Sequence, residues 1–161
     1  MKELFVKYAN YNLWANERIA NLLRGLDAAV VDKEIPSSFN SIRKTVFHIW
    51  DAEYIWLQRL HGLSLTDWPS KHYGQETPIE KFLETSKAFR EFVEQMPEEE
   101  IIYDCVYSNL KGDEFRTPRN EIFLHIFNHS TFHRGQLVTL LRNADITELP
   151  GTDFILFTRN K

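Results

Sequence analysis

Thr117–Arg142 reads TPRNEIFLHIFNHSTFHRGQLVTLLR, and this stretch decides the fold. Thr117 is predicted to cap a helix, with Pro118 in its first position, where a missing N–H costs nothing. About seven turns follow with Gly135 as the only breaker. At roughly 100° per residue, Ile122, Ile126, His129, His133, Leu137 and Leu140 fall within about 80° of one another. That is the stripe a buried helix turns toward its neighbours, with two imidazoles in the middle of it. His125 lies about 40° aside, at the stripe's edge. A buried imidazole without a partner costs a few kcal/mol, so these rings need one.

Histidines at i and i+4 rise from the same helix face one turn apart and can bind one divalent ion. His125 and His133 are separated by roughly 12 Å along the axis, so all three do not easily share an ion. The central pair, His129 and His133, is the better site. The competing reading is a pair of core histidines hydrogen-bonded to neighbours. A third ligand elsewhere in the chain decides between the two.

Working back from this helix, IIYDCVYS, NLKG and DEFRT predict a short hairpin: a β-branched and aromatic arm, a turn and a return arm. Cys105 sits in the first arm with no nearby base or cation in the sequence to make it a thiolate, which speaks against a nucleophile. Before the hairpin, a third helix is predicted from Pro78 to Met96. Thr77 is its cap, Pro78 its first position and Glu80 the partner in a capping box, and Phe82, Leu83, Phe89, Phe92 and Val93 make its inner face. The connection GLSLTDWPSKHYGQET, with Pro69 and Gly74, reads as a long loop. His61 and His72 lie at or in it and receive no role.

A second helix is predicted over Ser41–Leu60, with Asn40 as cap and Gly62 past its end. Ser41, Thr45, Ala52 and Ile55 share the face of His48 to within about 60°. Small neighbours leave room beside an imidazole for an ion and something bound to it; they also suit close helix packing. The first helix is predicted over Lys2–Leu26, with Leu4, Tyr8, Tyr11, Ala15, Arg18 or Ile19, and Leu22 at helical spacing and Gly25 at its exit. Asp27–Ser38 reads as connecting chain, interrupted by Pro36. At the other end, the apolar tail Phe154–Phe157 is expected to dock on the bundle.

Composition bounds the rest. The 161 residues suffice for one domain, 1–161, with a sizeable core, and 43% hydrophobic with 26% charged residues is ordinary for a soluble protein. A net charge of −4 argues against nucleic acid as a partner. No apolar run reaches the roughly 18 residues of a membrane span, and no signal-peptide core is visible, so no membrane partner and a cytoplasmic location are expected. The single cysteine fits a reducing compartment. Repeated Glu-x-x-His pairs, which a di-iron bundle needs, are missing from the sequence. The four Trp, Trp14, Trp50, Trp56 and Trp68, cannot all face one narrow core, which predicts a homodimer through helix faces.

Four helices with a long connection after the second and a hairpin before the fourth make an all-α, up-and-down four-helix bundle. The segments YNLWANERIANLLRGL, SFNSIRKTVFHIWDAEYIWLQRLHG and HIFNHSTFHRGQLVTLLR, with the closing PGTDFI, resemble the DinB/YfiT-like family across the whole chain. The HxxxHRGQ run after a distant helical histidine is the most specific part. The resemblance implies one divalent metal ion, nickel or zinc, held by His48, His129 and His133. Three histidines leave open positions, as catalytic zinc sites do. His125 is then expected in a second layer, touching a bound ligand or an outer water, and Thr45 beside the site in the same role. The resemblance further implies a low-molecular-weight thiol of the bacillithiol or mycothiol type as partner, held as thiolate and transferred to an electrophilic substrate, or a related hydrolysis. The alternative is a non-catalytic metal-binding protein serving stress response through a partner.

Overall fold

The computed structural model describes residues 1–72 and 78–159. Four long helices carry the chain: α1 (Lys2–Arg24), α3 (Ile42–Leu60), α4 (Pro78–Gln95) and α5 (Arg119–Asn143), with a short α2 (Ala28–Asp32) between the first two. Helix α1 packs on α4 and α5, and α3 packs on α4 and α5, which closes the bundle. The expected all-α bundle is what forms. A two-stranded antiparallel ribbon, β1 (Asp104–Ser108) and β2 (Glu114–Pro118), precedes α5 in the register Asp104↔Pro118 to Ser108↔Glu114. A short α6 (Phe154–Arg159) ends the described chain.

The core is divided at its waist. One apolar cluster gathers Ile19, Ile42, Ile49, Trp50, Phe82 and Leu137. The other gathers Phe5, Phe89, Val93, Ile101, Phe123 and Ile126. Each such side chain contributes about 1.5–3 kcal/mol by leaving water. Between the clusters lies a buried polar layer of Asn12, Asn16, Glu53, Ser86 and Arg134. The layer explains where the reading of α1 slips: Leu4 is 55% exposed, while Phe5, Asn12 and Asn16 face inward. Two asparagines do not register as core in a hydrophobic pattern, so the buried face lies about one residue from the expected one.

Helix ends differ from expectation for local reasons. Thr117 and Pro118 belong to β2, and α5 starts at Arg119 with no side-chain cap. Ribbon pairing holds both residues extended, and the Thr117 hydroxyl lies 3.3 Å from that of Tyr107. Ser41, rather than Asn40, caps α3 by accepting from the Lys44 N–H at 3.2 Å. Asn40 instead takes a left-handed turn at φ 59°, which asparagine tolerates. Asp27 accepts from the Ala29 N–H at 2.7 Å and starts α2 inside the segment expected to be connecting chain. Ile101 and Ile102, expected in the first arm of the ribbon, belong to a 3₁₀ turn, Glu98–Ile102. The expected Thr77 cap of α4 lies outside the described residues, while the Pro78 start and the inner face of Phe82, Leu83, Phe89 and Val93 hold.

The tail docks as expected, and it docks on α1. Phe154 stacks on Tyr8 at 4.8 Å, and Phe157 meets Trp14 at 5.6 Å. Of the tryptophans, Trp50 is 1% exposed and donates to the Thr85 hydroxyl at 3.0 Å, whereas Trp68 is 37% exposed. Among the described residues no helix is long and apolar enough to cross a membrane.

Candidate metal centre

The packing of α3 against α5 sets His48 opposite His129 and His133. One ring nitrogen from each lies within 4.8 Å of the other two. The Nε2 atoms of His48 and His129 are 3.0 Å apart, and the ring centroids of His133 lie 4.4 Å from both partners. Two nitrogens on one tetrahedral ion, each about 2.0–2.1 Å from it, sit roughly 3.3 Å apart. The His48–His129 pair is near that spacing, and with His133 within 4.8 Å the three rings could hold a small divalent ion.

The protonation states agree with this. Burial, followed by the nearby His133, pushes His48 down to about 4. Burial, then His133, His48 and His125, pushes His129 down to about 3. His133 is also lowered by burial, with its bond to Gln136 acting the other way. At neutral pH the rings are therefore uncharged, the form that ligates. His133 Nδ1 lies 2.8 Å from Gln136 Oε1. With the carbonyl accepting, Nδ1 carries the proton and Nε2 keeps its lone pair.

A cavity of about 530 Å³ adjoins the cluster, walled by Phe39, Phe47 and Trp68, with His48, Asp51 and Lys44 also on its lining. Phe39 stacks on the His48 ring at 4.1 Å. Of the three histidines His48 alone is among the lining residues. Asp51 is fixed by the Ser70 N–H at 2.7 Å, and burial raises its carboxyl despite that bond. The room expected beside Ser41, Thr45 and Ala52 lies instead on the adjacent flank of α3, because those small residues are buried in helix packing. Thr45 gives its hydroxyl hydrogen to the Ser41 carbonyl at 2.8 Å.

His125 stands one ring further along the seam. Its centroid is 5.7 Å from His129, and it meets Trp56 edge-on at 5.2 Å. Cys105 is buried, gives its thiol hydrogen to the Arg59 carbonyl at 3.1 Å and has its pKa raised by burial, all against a nucleophile. His61 packs on Phe92 at 4.8 Å, outside the cluster.

Sequence reading missed three contributors. Gln136 carried a signal, since i+3 from His133 places it on the same helix face. Phe39 comes from a loop and carried none. Arg134 follows His133 directly and ties α5 into the polar layer. Its Nη1 donates to Asn12 Oδ1 at 2.7 Å and Asn16 Oδ1 at 2.8 Å. Asn12 and Ser86 in turn donate to the Glu53 carboxylate at 3.2 and 3.1 Å. Burial pushes Glu53 up to about 7, opposed by Ser86, Arg134 and Asn12 in that order.

Comparison with known proteins gives one consistent answer. The sequence profile of the DinB family matches residues 1–160. Protein DinB of Bacillus subtilis (strain 168) is 29% identical over 166 residues, an alignment covering 98% of this chain and 95% of that protein. The backbone is similar to the crystal structure of a DinB-like protein from Bacillus cereus ATCC 10987, with a TM-score of 0.67 and 21% identity over 92% of this chain and 95% of that one. The structural likeness speaks for the fold, and the profile match, which spans nearly the whole sequence, speaks for descent. The chain belongs to the DinB family.

Proposed function

We propose that His48, His129 and His133 hold one divalent ion, nickel or zinc, and that the protein uses it to act on a small thiol as an S-transferase, or on a related substrate as a hydrolase. The observation that carries this reading is the cavity of about 530 Å³ opening beside His48, large enough for a small molecule. When bound, such an ion supplies Lewis acidity, holding a thiol as thiolate or lowering the pKa of water. The chain's own residues do the remaining work. Gln136 fixes the His133 tautomer, Phe39 holds the His48 ring by stacking, and Phe47 and Trp68 exclude water from the apolar part of a ligand. The tail does not cover this cavity, because Phe154 and Phe157 pack on Tyr8, Tyr11 and Trp14 of α1 and on each other, and neither lines it.

A second reading rests on a different observation: neither His129 nor His133 is among the residues lining the cavity. A metal held chiefly by α5 then serves a non-catalytic role in stress response, acting through a partner. Elemental analysis of protein purified without added metal, followed by calorimetric titration of the loaded protein with low-molecular-weight thiols, separates the two. Stoichiometric metal with thiol binding that is lost in Trp68→Ala supports the enzyme reading. Stoichiometric metal without thiol binding supports the second. Failure of the protein to take up nickel or zinc at all sinks both.

A further inference from the structure

Arg59, near the end of α3, is a cation with no counter-charge among the described residues. The residue is 8% exposed, and its Nε is sealed from solvent without a hydrogen-bond partner. Its side chain makes no hydrogen bond or ion pair among the described residues. What it has is two aromatic faces. The guanidinium carbon lies 4.5 Å from the Trp56 ring centre and 4.8 Å from that of Tyr107. Those rings hold the group in place and offer no acceptor in the plane of its five N–H bonds. A long side chain left to itself extends its head into water. This head is instead held under two rings, where an unpaired polar group is costly.

No described carboxylate compensates the charge. The groups that act on Arg59 are Tyr107 and Cys105, with no Asp or Glu among them. The Cys105 thiol is itself raised by burial, so it is neutral at physiological pH. His125, which meets Trp56 edge-on, feels Arg59 as a repelling charge. Nε is the only atom of this side chain that is both sealed and unpartnered, so the two Nη atoms keep what little access the residue has.

We propose that Arg59, seated in the corner that Trp56 and Tyr107 form, is a binding site for a small oxyanion, the carboxylate or phosphate group of a small molecule, gripped end-on by the two Nη atoms. A planar guanidinium offers paired, parallel N–H bonds that match a carboxylate or phosphate edge and do not match a spherical halide. The site needs no metal and stands apart from the histidine cluster. It therefore persists whether or not that cluster binds an ion.

The test uses the full chain and reads the arginine Nε–H signals by proton–nitrogen NMR. Arg59→Lys assigns the Arg59 signal by its disappearance. Titration with inorganic phosphate, and separately with acetate, is run against sodium chloride at matched ionic strength. The expected result is a saturable shift of the Arg59 signal with both oxyanions, none with chloride, and no comparable shift at Arg24. Saturation by phosphate alone narrows the ligand to phosphate, and saturation by acetate alone narrows it to carboxylate. No saturable shift, or an equal drift of all arginine signals with ionic strength, overturns the proposal. A second measurement covers loss of folding in the Lys variant. Phosphate should raise the melting temperature of the native chain, and should do so less for Arg59→Met, which keeps the aliphatic packing against the two rings.

Discussion

Arg134 Nη1 donates to Asn16 Oδ1 at 2.8 Å, and the residue immediately before Arg134 is His133. One bond thus couples the polar layer at the bundle's waist to the helix that carries two of the three clustered histidines. The same nitrogen also donates to Asn12, and Nη2 donates to Thr131 at 2.9 Å. The Tyr11 ring covers the guanidinium at 5.5 Å. Helix α5 can turn about its axis only by breaking the bonds to Asn12 and Asn16 of α1, so the layer fixes the direction in which His129 and His133 point.

Arg134→Met is the direct test of that coupling. Removing one partner of a buried charged network leaves the others unpaired, at a cost of about 3–5 kcal/mol. For a domain of this size that lowers the melting temperature by roughly 6–20 °C. Differential scanning calorimetry reads it. A change within the scatter of surface substitutions would show that the layer is not a stabilising unit.

Glu53 makes stability depend on pH in a particular direction. Its carboxyl is pushed up to about 7 from an ordinary 4.5. The folded chain then binds a proton more tightly than the unfolded chain between those values. Stability from this group is therefore complete below about 4.5 and is lost as pH rises through about 7. The loss is on the order of 3 kcal/mol, from about 1.4 kcal/mol per pH unit. Denaturant unfolding of the native chain and of Glu53→Gln, at pH 5 and at pH 7.5, isolates it. The gap between the two proteins should move in favour of Gln at the higher pH. A constant gap would mean that Glu53 is ionised throughout, compensated by Arg134.

These two residues also mark where sequence reading stopped. Helix periodicity located all four long helices because Phe82, Phe89, Ile122, Ile126 and Leu137 repeat at the spacing that burial requires. The same logic placed His129 and His133 on the inward stripe. It could not see the polar layer, because Asn12, Asn16, Glu53 and Arg134 look like solvated positions until their partners on other helices are known. Nor could it place the cavity wall. Phe39 reaches His48 from a loop whose path depends on the left-handed turn at Asn40, and no periodicity encodes that.

Gln136→Leu tests whether the hydrogen bond at His133 Nδ1 tunes metal binding. Losing the partner of a ligating imidazole typically weakens metal affinity by about 10–100-fold. Gln136 is only half-buried, so the melting temperature of metal-free protein should change little. Competition with a chromophoric chelator measures the affinity. Native affinity in the variant would show that the bond does not orient the ring.

Metal removal separates a working centre from a brace. The two apolar clusters lie on either side of the waist, and neither includes a histidine. Ile42, Ile49 and Trp50 pack with Leu137 on one side, and Phe89, Phe123 and Ile126 pack together on the other. The polar layer between them closes through Arg134 and Glu53. None of these contacts needs an ion, so chelated protein and His129→Ala should keep their helical circular dichroism. Bound metal should still raise the melting temperature, since a ligand at about 1,000 times its Kd adds about 4 kcal/mol to the native state. That increment should vanish in His129→Ala, while the metal-free melting temperature should change by far less than it does in Arg134→Met. Collapse of helicity on chelation would assign the ion a structural role and remove the basis for an open working site. Retained helicity with no metal-dependent increment in the native chain would show that the three histidines do not hold an ion together.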